Sequence, residues 1–98
     1  MAFVIDLQEG FEGDAVTVSL DGREVFNKAE VRTRYQISRA ERIELETTPG
    51  RHAVEVSLPG HGIKEEVTID PEATPFLGVS LEQGALVFKP SSEAFRYL

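Results

Sequence analysis

The sequence predicts an all-β fold, an antiparallel β-sandwich of about seven or eight strands with an Ig-like or transthyretin-like architecture. Three observations predict it. Apolar residues recur with period two along most of the chain. Gly, Pro and Asp turn chemistry interrupts them at near-regular spacing. Ninety-eight residues with 41% hydrophobic content and no cysteine suit one domain, residues 1–98, whose core must hold by packing alone.

Taken in order, Phe3, Ile5 and Leu7 alternate and make a first strand. A glycine-punctuated acidic loop, Glu9 to Asp14, follows. Val16, Val18 and Leu20 share one face of the next strand, and Thr17 and Ser19 the other. Asp21-Gly22 is a tight hairpin signal, because both central positions of the favoured turn need positive φ. The strand from Arg23 to Phe26 then returns with Val18 expected against Val25 and Val16 against Asn27.

Between Lys28 and Ala40 the β-rich residues Val31, Thr33, Tyr35 and Ile37 read as strand. The competing pattern Ser38-x-x-Glu41 resembles a helix capping box. A helix there would group Ala40, Ile43 and Glu44, a poor apolar stripe, so the strand reading stands. Ile43 and Leu45 face inward on the next strand, and Pro49-Gly50 turns the chain. Val54, Val56 and Leu58 repeat the inward phase; after the turn Pro59-Gly60-His61-Gly62, Ile63, Val67 and Ile69 do the same. Asp70 to Pro75 is a two-proline connection with room for one helical turn capped by Asp70. A last hairpin about Gln83-Gly84 sets Leu81 against Leu86, Val79 against Phe88 and Ser80 against Val87. The tail, Pro90 to Leu98, fits one helical turn or a short strand.

Several function classes are disfavoured on composition. The absence of cysteine removes thiol catalysis, iron–sulfur clusters and Cys-based zinc sites. The first residues have no basic leader and no long apolar run, which makes a cytoplasmic location the expectation and gives no reason to invoke a membrane. A net charge of −7 disfavours nucleic acid. The charge is uneven: residues 23–51 hold seven of the ten basic residues against five acids. A basic strip on an acidic body follows.

Three stretches carry a family resemblance. They are Val16-x-Val18-x-Leu20-Asp21-Gly22, then Ile43-x-Leu45 leading to Pro49-Gly50-Arg51-His52-x-Val54-x-Val56, and a glycine turn four residues past Val56. Over roughly residues 15–69 the chain resembles the PEGA and carboxypeptidase regulatory-like, transthyretin-like sandwiches. His61 stands where those families place an aromatic residue, and their Pro-Glu-Gly-Ala signature is absent. The resemblance implies an accessory or binding module without catalytic residues, often outside the cytoplasm, and it carries over no site residue.

Few residues can carry chemistry. The chain has no GxxxxGKS/T or helix-opening GxGxxG phosphate loop and no GxSxG elbow. His52 falls on the inward phase at a strand end, where a packed rim residue is expected. His61 lies in a Gly-flanked turn, where solvation is the plain expectation. Strand parity puts the 9–14 loop at the same end as His61, so Glu9, Glu12 and Asp14 approach it as oxygen partners for a mixed metal site. Glu65 is odd, because its register faces it toward Val56 on the apolar side; an edge position or a bulge would relieve that. Arg32 and Arg34 share one face if Tyr35 and Ile37 pack inward. A solvated edge is the plain account of the arginines. A binding strip of Arg32, Arg34 and Tyr35 for an acidic partner is the functional one. The sequence therefore points to a non-enzymatic interaction module, without a cofactor, that binds a protein or polymer through a sheet face or edge. The alternatives are a self-associating structural domain and a metal-dependent activity at His61, Glu12 and Asp14.

Overall fold

The computed structural model describes residues 1–96. Among the described residues eight strands form: β1 (Ala2–Leu7), β2 (Glu12–Leu20), β3 (Arg23–Arg32), β4 (Glu41–Glu46), β5 (His52–Leu58), β6 (Ile63–Ile69), β7 (Phe76–Glu82) and β8 (Ala85–Ser91). They build two four-stranded sheets, β4-β1-β7-β8 and β3-β2-β5-β6. Neighbours are antiparallel except β1 and β7, which run parallel. The all-β sandwich is therefore as expected. Its strand order departs from the immunoglobulin one, in which the first strand shares a sheet with the second, fourth and fifth. Here β1 sits between β4 and β7.

The core lies between the inner faces of the two sheets. Phe3, Ile5 and Leu7 of β1 and Leu77 and Val79 of β7 come from one sheet. Val16, Val18 and Leu20 of β2 and Val54, Val56 and Leu58 of β5 come from the other. The four central strands supply these residues, and the edge strands β3, β4 and β6 add Val31, Ile43 and Ile69. Val67 and Leu81 of β6 and β7 are half-buried rather than buried.

Turn chemistry fixes most of the registers. Asp21 and Gly22 take φ of +50° and +82°, and Gln83 and Gly84 take +52° and +78°. Two successive positive φ values are what a two-residue hairpin with native twist requires. The last hairpin pairs Leu81 with Leu86, Ser80 with Val87 and Val79 with Phe88, in the expected register. The first hairpin differs. It starts with Leu20 opposite Arg23, but a bulge past Ser19 inserts Val25, so Val18 pairs with Phe26 and Thr17 with Asn27. β3 also runs on to Arg32 instead of stopping at Phe26.

Two connections are compact. Pro59–His61 forms a 3-10 turn closed by Gly62 at φ +65°. After β6, Asp70 makes the expected single turn: its carbonyl accepts from Thr74 N–H at 2.9 Å and its carboxylate from Glu72 N–H at 3.1 Å. The tail continues β8 through Pro90 and Ser91. Tyr97 and Leu98, which end the Pro90–Leu98 stretch, lie outside the described residues.

Candidate functional site

The basic strip occupies the corner where the chain leaves β3 in one sheet for β4 in the other. Val31 and Thr33 take the inward phase there and are buried. The Thr33 hydroxyl donates to the Gln8 carbonyl at 2.8 Å and accepts from Phe11 N–H at 3.0 Å. The Thr33 N–H donates to the Phe11 carbonyl at 2.8 Å, and Ala40 N–H to the Leu7 carbonyl at 2.7 Å. These bonds satisfy buried polar groups, so one end of the corner is fastened to the β1–β2 connection and the other to the last residue of β1.

Between the anchors the chain makes a tight loop. Ile37 N–H donates to the Arg34 carbonyl, Arg34 N–H donates to the Arg39 carbonyl, and Ser38 takes φ +52°. The strand expected over Val31–Ile37 thus ends at Arg32, and no helix replaces it. Tyr35 consequently does not pack inward: it is 76% exposed at the loop tip. The reason is physical. Alternation places a residue only while the chain stays extended, and here it turns after Arg34.

Arg32 and Arg34 are exposed, on the phase opposite buried Val31 and Thr33. Neither forms an ion pair among the described residues. The nearby Lys28 is instead the cation that pairs with Glu41, bridging β3 to β4. Two shallow hollows flank Arg34. One of about 130 Å³ is lined by Arg34, Ile37, Arg39, Ala40, Glu41 and Arg42. The other, of about 210 Å³, lies along Lys28, Glu30, Arg32, Thr33 and Arg34, with Ala40 and Glu41 opposite.

Of the residues named for a metal site, the structure brings His61 and Asp14 together. His61 does approach the start of β2: its Nε2 lies 2.6 Å from Asp14 Oδ1. Burial raises the Asp14 carboxyl, but the Glu12 N–H bond, the His61 bond and charge, and the Arg32 charge outweigh it and hold the group below the usual carboxylate value. Glu12 supplies a backbone N–H to Asp14 Oδ2 at 2.9 Å. Gly13 at φ +94° and register shifts on both sides of Asp14 break the alternation that would set Glu12 and Asp14 on one face. Among the described residues no three His, Cys, Asp or Glu side chains gather where they could hold a metal ion. Glu65 pairs with Val56 as its register required, yet it is exposed because β6 is a sheet edge.

Two arrangements escaped sequence reading. Asp6 interrupts the apolar run of β1 but is buried, and its carboxylate takes two bonds from Arg42, at 2.9 and 3.2 Å. The direct opposition of Asp6 and Arg42 across β1 and β4 makes this possible. The second is an array of Asp21, His52 and Thr48. His52 Nδ1 lies 2.6 Å from Asp21 Oδ2, and Nε2 lies 3.3 Å from the Thr48 hydroxyl. Acid, imidazole and hydroxyl in that order resemble a nucleophilic triad. However, the Thr48 carbonyl is nearer to Nε2, at 2.8 Å. A nitrogen that faces a carbonyl is set up to donate a proton, whereas a general base must accept one from the hydroxyl. The array fastens two turns together.

No helix among the described residues is long and apolar enough to cross a membrane. No family model, no curated protein and no solved structure matches this chain.

Proposed function

We propose that this domain is a non-enzymatic interaction module that recognises an acidic segment of a partner protein through Arg32, Arg34 and Tyr35. One observation carries the reading. The fastened corner presents two exposed arginines without ion pairs among the described residues, beside an exposed tyrosine, on a chain of net charge −7. Arg and Tyr are enriched at binding hot spots, and guanidinium suits carboxylates in bidentate geometry. A loop held at both ends loses little entropy on binding.

The sheet edges favour recognition by side chains over strand pairing between copies. β3 carries three register shifts against β2. β4 carries Glu41, Glu44 and Glu46, β6 sets Glu65 opposite buried Val56, and β8 contains Pro90. Bulges, edge charges, inward charges and proline all oppose edge-to-edge association. Of the two architectures expected from the sequence, the transthyretin-like one is the reading we favour, supported by a strand order unlike the immunoglobulin order.

The test is a calorimetric titration of a hexaglutamate peptide into the wild type and into Arg32→Glu, Arg34→Glu. The wild type should bind, with affinity falling as salt rises, and the folded double variant should not. Equal binding by both proteins, or by neither, would overturn the reading. So would a wild-type mass of two chains in light scattering that the double variant retains.

A further inference from the structure

The β3-β2-β5-β6 sheet is two hairpins joined by one ladder, and its register is only Thr17–Ser57 through Leu20–Val54. His52 sits where that joint ends. Its side chain is 11% exposed, and each ring nitrogen faces an acceptor. Nδ1 is 2.6 Å from the Asp21 carboxylate, which belongs to the turn between β2 and β3. Nε2 is 2.8 Å from the Thr48 carbonyl, which belongs to the turn between β4 and β5. A neutral imidazole has one donor and one acceptor nitrogen, so only the imidazolium satisfies both contacts. Asp21 is itself held, since its other oxygen accepts from Ala53 N–H at 2.9 Å.

We propose that His52 is an acid-stabilised pin that fastens the β2–β3 turn to the β4–β5 turn, and that this joint loosens when the imidazole gives up its proton to solvent. On deprotonation Nε2 faces the Thr48 carbonyl with a lone pair. Its remaining partner is then the Thr48 hydroxyl, now as donor, at the longer distance of 3.3 Å.

The surrounding charges support the direction. The hydrogen bond His52 donates to Asp21, and then the one it donates to the Thr48 carbonyl, raise the His52 pKa above its ordinary value, and the Asp21 charge adds to this against desolvation. Asp21 is lowered in turn, first by the His52 bond, then by Ala53 N–H, with a contribution from the Arg23 charge. β6 sets Ile69 opposite His52, and Arg51 precedes it in its own turn. A raised histidine contributes stability that is full below the unfolded-state pKa of about 6.5 and is lost as pH rises through the folded-state value. The lowered Asp21 contributes stability above about pH 3.9 that is lost as pH falls through its own folded value. The joint is therefore tightest at mildly acidic pH, between those two losses.

The experiment follows the His52 ring by NMR and the melting temperature from about pH 5 to about pH 9. The wild-type ring should titrate above the ordinary histidine value, and the melting temperature should step down across the same midpoint. Asp21→Asn should move the midpoint down. Thr48→Val should move it up, because the neutral ring loses its fallback donor while the carbonyl remains. His52→Gln should abolish the step, and His61→Gln should keep it. A wild-type ring that titrates at or below the ordinary value would overturn the proposal, even if no variant folds. A step that survives in His52→Gln would overturn it too.

Discussion

The β2–β5–β6 ladder and the Arg34–Arg39 corner are both built from short turns with positive φ, yet they hold opposite contents. The ladder turns its apolar residues inward and closes over Val54, Val56 and Leu58. The corner turns arginine and tyrosine outward, and its inward contribution is made by Val31, Thr33 and Ala40 at its ends. In the ladder, burial of side chains makes the conformation stable. In the corner, a few backbone and hydroxyl bonds do so, which leaves the side chains available for contact with something else. A fixed loop whose exposed groups add little to stability is what a recognition surface requires.

A core residue should matter far more to stability than an exposed residue of the corner. Phe3→Ala should cost about 3–5 kcal/mol, as transfer and cavity terms add. Tyr35→Ala should stay within about 0.5 kcal/mol, the usual range for exposed sites. Chemical denaturation midpoints measure both. Thr33→Val tests the anchor. It leaves the buried Gln8 carbonyl and Phe11 N–H without that hydroxyl, so the cost should be about 1–3 kcal/mol. Amide exchange should also speed up across residues 34–39 while the ladder stays protected. Equal exchange in both regions would show that the anchor does not hold the corner.

The smallest effect sharpens the other side. Glu55 and Glu66 stand directly opposite on the outer face of the ladder, with Lys64 only 3.8 Å from Glu55 as partial relief. Like charges at such a position repel. Glu66→Thr should therefore stabilise the domain by about 0.2–1 kcal/mol, read from the same denaturation curves. No change would mean that Lys64 already neutralises the pair.

What could be read in advance follows from how far each signal reaches along the chain. Alternation and two-residue turns are local, so the last hairpin came out residue for residue. The bulge at Val25 leaves no mark in an alternating pattern, and it shifted the first hairpin by one. Val31-x-Thr33-x-Tyr35-x-Ile37 alternates as well as any true strand does, but the chain turns where Thr33 and Ala40 bind Phe11 and Leu7, over twenty residues earlier. The approach of His61 to Asp14 was legible from strand parity. The partnership of His52 with Asp21 was not, because it needs β2 beside β5, two strands that are not consecutive. The burial of Asp6 likewise depended on Arg42, 36 residues away.

The claim that the corner is a recognition surface is tested most directly by NMR shift mapping. Hexaglutamate is added to the uniformly labelled wild type, and backbone amide shifts are followed to saturation. Perturbations should concentrate at residues 31–42, with the β5–β6 hairpin unchanged. Shifts spread evenly over all basic residues, or centred on Lys64, Lys89 or Arg96, would contradict the claim.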